Sequence, residues 1–347
     1  MKWLWSFLPL LLLANQAQAQ EPALKSPLLA DGMALATISD RAAQTDSNYT
    51  LVADAGLDGG NGGSASGLRG FSNFIGFMSN PVQNIDPRAL TELYPIFGSV
   101  WTSTAGLLPS ANAQVYGAGL TVALSDRFAA GLNQGGFMDA HLSKKDFPRL
   151  AALDPTGRFA NAEIGGDRSG WLDLGGFFQY TLIADQESQC LLTAGLRWVA
   201  PCGSHDIFQG HGPLELAPYI TIGKGCGCYH LLAVAGYLFP AGPGSDTTNQ
   251  FYFNVHLDRQ CFGWLYPLVE INTLYHVTSV GIDLPIRRGI FDLNNFEASG
   301  NVVTLAVGAN AVLVRDKLEF GAVYSTPLAT QRDFNFNGLL VRMNLRF

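Results

Sequence analysis

The stretch that decides the fold is the last one of the chain, Gly338-Leu-Leu-Val-Arg-Met-Asn-Leu-Arg-Phe347. Apolar side chains occur at every second position, and mainly polar residues lie between them, with Leu340 as the exception. Successive side chains of a β-strand point to opposite faces, so a two-residue period predicts a strand with one apolar and one polar face. The apolar positions are Leu339, Val341, Met343, Leu345 and Phe347.

The composition of the 347-residue chain agrees with strands of this kind. Hydrophobic residues make up 48% of it and charged residues only 14%, whereas a soluble domain averages about 25% charged residues. The 28 acidic residues outnumber the 21 basic ones, which argues against a nucleic-acid partner. After the first twenty residues no apolar run is long enough for a membrane-spanning helix, which needs about 20 residues.

The first nineteen residues read as a secretory signal peptide. Met1-Lys2 is a positive start, residues 3–13 are an apolar run, and Ala17-Gln-Ala19 fits a cleavage site. The apolar run is too short to cross a bilayer core of about 30 Å. We therefore expect export to an oxidising compartment.

Twelve segments of about ten to fourteen residues predict strands, and a tilted transmembrane strand needs about 9–11. Short connections alternate with mostly longer ones, as in outer-membrane barrels. We therefore predict an all-β fold, a single antiparallel transmembrane β-barrel of about twelve strands with both termini in the periplasm. The segments are 91–102, 112–124, 128–138, 170–183, 190–201, 214–224, 229–240, 249–258, 264–276, 301–314, 318–327 and 334–347.

The alternating last strand that ends on Phe347 resembles the C-terminal signature of bacterial outer-membrane barrels. The resemblance implies location in the outer membrane of a diderm bacterium, with outer-membrane lipid and the barrel-insertion machinery as partners. An amphipathic strand of a soluble exported sandwich is the alternative interpretation.

Residues 20–87 carry no convincing strand and are expected to form a periplasmic segment ahead of a barrel at 88–347. A Gly-rich linker at 56–70 precedes an aromatic run, Phe71-Ser-Asn-Phe-Ile-Gly-Phe-Met78. Two alternatives stay open: a short helix at the mouth or on the membrane surface, and a plug that enters the lumen.

Several phrases resemble outer-membrane transporters of the phenol-degradation meta-pathway type. They are SNPVQNIDPRALTELYPIFG (79–98), QVYGAGLTVALSDRFA (114–129), FQGHGPLELAPYITIGK (208–224), YFNVHLDRQCFGWLYPLVEIN (252–272) and LEFGAVYSTPL (318–328). The resemblance runs from about residue 71 to the end and implies a porin-like barrel for uptake of small hydrophobic or aromatic compounds. It carries no agreed functional residues, and the cysteines depart from the family pattern.

Strand parity selects candidate lumen-lining residues. If the last two predicted strands, 318–327 and 334–347, pair with residue 327 opposite residue 334, Glu319 lies opposite Arg342. The two side chains would then form an ion pair that either braces the lumen or sorts solutes by charge. Glu270 and Asn272 beside Tyr252 and His256 could hold a phenol-like solute. The candidates are Asp173, Arg197, Tyr252, Asn254, His256, Glu270, Asn272, Glu319 and Arg342.

The mature chain contains five cysteines, four of them in or beside three neighbouring turns that we expect on the periplasmic side. Cys190 with Cys226 and Cys228 with Cys261 are candidate disulfides, and free thiols or a thiolate zinc site are the alternatives. Cys202 lies at the outer end and is expected to stay free.

Catalytic motifs are absent from the sequence: it holds no GxSxG, HExxH or Walker pattern. We expect no enzyme activity, no cofactor and no metal. The sequence favours an outer-membrane channel for small, hydrophobic or aromatic solutes, and the alternative is a structural or ligand-binding barrel that acts through its outer loops.

Overall fold

The computed structural model describes residues 70–71, 73–102, 111–142, 166–207, 209–210, 212–242, 249–277, 301–330 and 336–347. The expected signal peptide and most of the Gly-rich linker lie outside this part of the chain. Fourteen strand segments are present: β1 (Glu92–Thr102), β2 (Ala111–Ala123), β3 (Phe128–Gln134), β4 (Gly136–Leu142), β5 (Gly166–Trp171), β6 (Leu174–Asp185), β7 (Cys190–Ala200), β8 (Glu215–Cys226), β9 (Tyr229–Pro240), β10 (Gln250–Arg259), β11 (Leu265–His276), β12 (Asn301–Val314), β13 (Leu318–Thr330) and β14 (Phe336–Arg346).

These segments form a closed barrel of twelve antiparallel strands, as the alternation predicted. Two of the twelve are bent and therefore count as two segments each: β3 continues as β4, and β5 continues as β6. On one side β2 pairs with both β3 and β4, and on the other β6 pairs with β3 and β5 with β4. The ring closes where β1 pairs with β14 as well as with β2.

The bend in the third strand lies at a glycine pair. Gly135 and Gly136 have φ angles of +155° and +149°, a region that glycine reaches without a steric penalty. A Cβ atom on Gly136 would lie 2.3 Å from the carbonyl oxygen of Tyr116. Past this bend the strand runs four residues further than the sequence pattern predicted, to Leu142, and its neighbour begins earlier, at Gly166.

Prolines inside strands are accommodated by breaks in the hydrogen-bonded ladder. The β8–β9 register skips the pair at Pro218, and the β1–β14 register skips the pair at Pro95. At Pro327 the β12–β13 register shifts by one residue, which marks a bulge. Pro267 lies just beyond the last pair of the β10–β11 ladder. Each of these prolines, which has no backbone amide hydrogen to donate, therefore lies where the ladder needs no hydrogen bond from it.

The two faces of the barrel differ in polarity. Large apolar side chains are exposed on the outer face, whereas most buried polar and charged side chains point inward. The described residues contain no helix that is long and apolar enough to cross a membrane. The outward set includes Leu120, Leu132, Phe178, Tyr180, Leu182, Ile220, Ile222, Leu231, Phe251, Phe253, Ile271, Val307, Phe320 and Leu339.

Three inward tyrosines each cover a glycine directly opposite on the adjacent strand. The pairs are Tyr94 with Gly119, Tyr219 with Gly195 and Tyr252 with Gly236. A Cβ on any of these glycines would lie 2.1–2.3 Å from the tyrosine ring. The rings therefore lie flat against the backbone of the wall, a contact that also helps to fix strand register.

Candidate functional site

The lumen is filled by the segment that precedes β1. We call Phe71 and residues 73–90 the lumenal loop. Its apolar side chains are almost completely buried, and they pack against inward residues of the wall such as Phe177 and Leu238. Phe71, Phe74, Ile75, Phe77 and Met78 are each only 1% exposed. Within the described residues this loop contains turns and extended chain but no helix.

The loop enters and leaves the barrel at the same end. On entry, the Phe74 ring lies 4.9 Å from the ring of His230, close to the β8–β9 turn. The chain reverses after Asn80, which has a φ of 49° and whose carbonyl oxygen accepts bonds from the amides of Gln83 and Asn84. It then returns to β1 at Glu92, where Phe347 donates its amide to the carbonyl oxygen of Thr91.

The tip of the loop spans the lumen from wall to wall. Asn133 on β3 donates to the carbonyl oxygen of Val82 at 2.8 Å. On the other side Asn84 donates to Asn272 on β11 at 2.8 Å and accepts from Asn254 on β10 at 2.6 Å. The strands that carry Asn133 and Asn272 are six apart in the ring of twelve, so the two contacts lie across the diameter.

The returning limb is held by neutral side chains of the wall. Thr221 on β8 and Thr193 on β7 donate to the carbonyl oxygens of Ile85 and Pro87. Gln179 on β6 donates to the carbonyl oxygen of Arg88 at 3.0 Å. These donors lie on successive strands, and together they satisfy a row of backbone carbonyl groups that would otherwise be buried without partners.

Arg88 joins the two limbs of the loop. Its guanidinium forms an ion pair with Asp86 at 2.7 Å and donates to the carbonyl oxygens of Phe71 and Phe74. Burial alone would raise the pKa of the Asp86 carboxyl, but the charge and hydrogen bonds of Arg88 outweigh it, so this pKa lies below its usual value. The carboxylate therefore stays ionised inside the lumen.

A buried chain of titratable groups lies against the entering limb. The Nδ1 atom of His230 lies 2.7 Å from Asp258, and Nε2 of His256 lies 2.9 Å from the same carboxylate. The Nδ1 atom of His256 lies 2.6 Å from Glu270. Glu270 in turn accepts hydrogen bonds from the amides of Met78 and Ser79 and from the Ser79 hydroxyl.

The nine candidates from strand parity fall into two groups. Eight have inward, buried side chains: Arg197, Tyr252, Asn254, His256, Glu270, Asn272, Glu319 and Arg342. Asp173 lies between β5 and β6, half-buried, and accepts the amides of Gly203 and Gly210 at 2.7 and 2.9 Å. Asn254, Glu270 and Asn272 form hydrogen bonds to the loop. His256 contacts the loop through Glu270 and through the ring of Phe77, whose centroid lies 5.6 Å from that of the imidazole.

The expected ion pair between Glu319 and Arg342 is wrong because the strand register differs. Glu319 lies opposite Asn344 and Gly321 opposite Arg342, a displacement of two residues from the register that the sequence suggested. Glu319 instead pairs with Arg346, which also contacts Glu92. The guanidinium of Arg342 lies over the ring of Tyr94, 5.4 Å from its centroid.

Sequence reasoning missed two members of the buried chain, His230 and Asp258. Asp258 continues the inward row of Tyr252, Asn254 and His256 at the same two-residue spacing, so parity could have identified it. His230 lies in an almost uniformly apolar strand, where the two-residue period does not assign a face. Its inward orientation is shown by its burial and by its contacts with Asp258 and Phe74.

The cysteines are free thiols in the structure. Cys190 lies opposite Lys224, and the carbonyl oxygen of Cys228 accepts the amide of Gln260, so the members of neither expected pair lie directly opposite each other. The disulfides Cys190–Cys226 and Cys228–Cys261 remain predictions. The described residues contain no group of three His, Cys, Asp or Glu side chains arranged for a metal ion.

The last strand presents its alternate residues as predicted from its period. Leu339 and Phe347 are exposed, Val341, Met343 and Leu345 are half-buried on the same outer face, and Leu340, Arg342 and Asn344 point inward. Recognition of this strand by insertion machinery remains a prediction.

A closed antiparallel barrel that is apolar outside and polar inside leaves no sheet edge unpaired, which is the requirement for strands in a bilayer. Fold and lumen together define the class as a transmembrane β-barrel of the outer-membrane type.

Comparison with solved structures finds similarity in fold. An outer-membrane channel from Pseudomonas putida F1 matches with a TM-score of 0.50 and 12% identity, over 78% of this chain and 100% of the other. The NanC porin gives 0.44 and 9%, over 73% of this chain and 100% of that one. The translocator domain of the autotransporter NalP from Neisseria meningitidis gives 0.41 and 9%, over 74% and 88%.

No protein-family model matches the sequence, and no curated protein matches it significantly. At such identities the likeness to the Pseudomonas channel shows the fold alone. The sequence resemblance to outer-membrane transporters is thereby supported at the level of architecture.

Proposed function

We propose that this barrel is an outer-membrane channel for small solutes, closed in the present state by its lumenal loop. The observation that carries the proposal is the way the lumen is filled. Much of the space is taken by one continuous segment that enters and leaves at a single end. Among the strands, it is covalently connected only to β1, and its other contacts with the wall are non-covalent. Such a segment can leave the lumen without breaking the barrel.

The wall that the loop covers suits small solutes with an apolar or aromatic body. Phe177, Tyr219 and Tyr252 face the loop from β6, β8 and β10, and they pack near its own phenylalanines. Asn254 and Asn272 supply hydrogen-bonding groups on the neighbouring surface. Aromatic walls with a few placed polar groups are typical of small-molecule sites, so we infer that hydrophobic or aromatic solutes pass here.

A catalytic role is not part of the proposal. Catalysis by serine requires a hydroxyl that can give its proton to a neighbouring base. The Ser79 hydroxyl donates to Glu270 rather than to an imidazole, and both ring nitrogens of His256 already face carboxylates.

The test is planar-bilayer conductance of the mature chain, with and without residues 20–90. We expect the full chain to conduct little and the shortened chain to form stable open channels. Heat-modifiable gel migration serves as the control that both proteins are folded barrels. Silence of a folded, shortened barrel would contradict the proposal and favour a binding role for the outer loops.

A further inference from the structure

The buried chain of His230, Asp258, His256 and Glu270 requires a particular set of protons. An ionised carboxylate can only accept hydrogen bonds. Both ring nitrogens of His256 lie within hydrogen-bond distance of carboxylate oxygens, 2.6 Å from Glu270 and 2.9 Å from Asp258. With both carboxylates ionised, both nitrogens must carry protons, so His256 is an imidazolium between two negative groups.

The loop uses the far end of this chain. The amide of Met78 donates to Oε1 of Glu270 at 2.7 Å, and the amide of Ser79 donates to Oε2 at 2.6 Å. The Ser79 hydroxyl also donates to Oε2. Hydrogen bonds to an ionised acceptor are roughly twice as strong as neutral ones. The wall donors on the returning limb, such as Thr193, Thr221 and Gln179, are all neutral.

We propose that this chain is a charge-dependent latch for the lumenal loop. The ionised carboxylate of Glu270 binds two consecutive loop amides, and the His256 imidazolium, fixed by Asp258 and His230, holds that carboxylate in place and balances its charge. The latch rests on the proposed function only in that release of the loop would open the proposed channel. Release of the loop can be measured whether or not the barrel conducts.

Other charged and titratable groups lie near this buried chain of four side chains, but none of them takes over the contacts of one of its members. Tyr266 on β11 lies in electrostatic range of Asp258, of Glu319 on β13 and of Arg315 in the β12–β13 turn. On β12, Ala306 lies opposite Glu270, and on β9, Leu232 lies opposite His256. In the loop, Asp86 and Arg88 pair with each other. The positive partner of Glu270 in the structure is therefore His256.

The experiment measures tryptic cleavage of the Arg88–Ala89 bond in the full mature chain in detergent. This bond is buried while the loop occupies the lumen, since Arg88 is 3% exposed and Ala89 is completely buried. Mass spectrometry identifies the fragment that begins at Ala89. We expect Glu270→Gln to accelerate this cleavage at least about tenfold, because the amide side chain presents one acceptor and no charge.

Two further variants make the result specific. Ser79→Ala removes the hydroxyl that donates to Glu270 and that also accepts a hydrogen bond from Asn272 at 2.8 Å, and we expect a smaller acceleration of about threefold. Glu319→Gln neutralises another buried carboxylate, which is bonded to Asn310, Asn344 and Arg346 but not to the loop, and it should cleave at the wild-type rate. Should Glu270→Gln fail to give a heat-modifiable barrel, Ser79→Ala decides the question.

Wild-type cleavage rates in folded Glu270→Gln, or in Ser79→Ala where that variant decides, would overturn the latch. Equal acceleration by Glu319→Gln would also overturn it, because the effect would then be a general loosening of the barrel. Conductance separates the two proposals. A silent truncated barrel together with accelerated cleavage in Glu270→Gln contradicts the channel and leaves the latch standing. An open truncated barrel together with wild-type cleavage in Glu270→Gln contradicts the latch and leaves the channel standing.

Discussion

At the scale of single residues, the barrel depends on positions where a side chain would not fit. Gly236 lies directly opposite Tyr252, and a Cβ there would approach the ring to 2.3 Å. The Tyr252 ring is completely buried between the wall and the core of the lumen, so it has little room to move.

We expect Gly236→Ala to destabilise the barrel by about 1–3 kcal/mol, the usual cost of overpacking a dense interior. The measurement is the midpoint of urea unfolding in detergent, followed by loss of the heat-modifiable band. Gly98→Ala is the matched control, since its Cβ would meet Val115 at an ordinary 3.7 Å, and it should stay within about 1 kcal/mol of wild type. Equal midpoints for both variants would show that the Tyr252 contact is not tight.

At the scale of strands, alternation carries most of the information. The period of Phe251 to Leu257 fixes both that β10 is a strand and which of its faces points inward. Register is different, because a two-residue slip keeps every side chain on its face. The sequence therefore predicted that Glu319 and Arg342 both point inward and still paired them incorrectly.

The loop shows where sequence reasoning stops. Its run of Phe71 to Met78 indicates burial, but a helix at the mouth and a plug in the lumen both bury apolar side chains. What distinguishes them is the match between loop backbone and wall donors such as Thr193 and Gln179, which come from strands about a hundred residues away. The same applies to the bend at Gly135–Gly136. The predicted strand runs through both glycines to residue 138, but the sequence does not show that the strand bends there and continues to Leu142.

The last strand also supports a prediction about assembly. Phe347 is 72% exposed on the outer face, and its side chain contributes little to the barrel interior. We expect Phe347→Ala to lower the amount of barrel assembled in outer membranes several-fold while the purified protein still refolds in detergent with wild-type yield. The control is Phe320→Ala, which removes an outer-face aromatic from β13. An equal loss of assembly for both would show that Phe347 is not read as a signal.

At the scale of the whole molecule, the charges of the wall determine which ions an open barrel prefers. Among the described residues whose inward side chains are buried, five carboxylates face three guanidinium groups and two imidazoles. They are Glu92, Glu215, Asp258, Glu270, Glu319, Arg197, Arg342, Arg346, His230 and His256. The five carboxylates outnumber the three guanidinium groups and the His256 imidazolium together, and the Asp86–Arg88 pair of the loop cancels itself.

We therefore expect the barrel that lacks residues 20–90 to favour cations, because charged rings in a narrow pore select ions of opposite sign. The measurement is the reversal potential in a potassium chloride gradient, with a potassium-to-chloride permeability ratio above one. Arg197→Gln should raise that ratio and Glu270→Gln should lower it, since both side chains project into the same lumen. A preference for chloride in the truncated barrel would mean that the guanidinium groups, rather than the carboxylates, line its narrowest part.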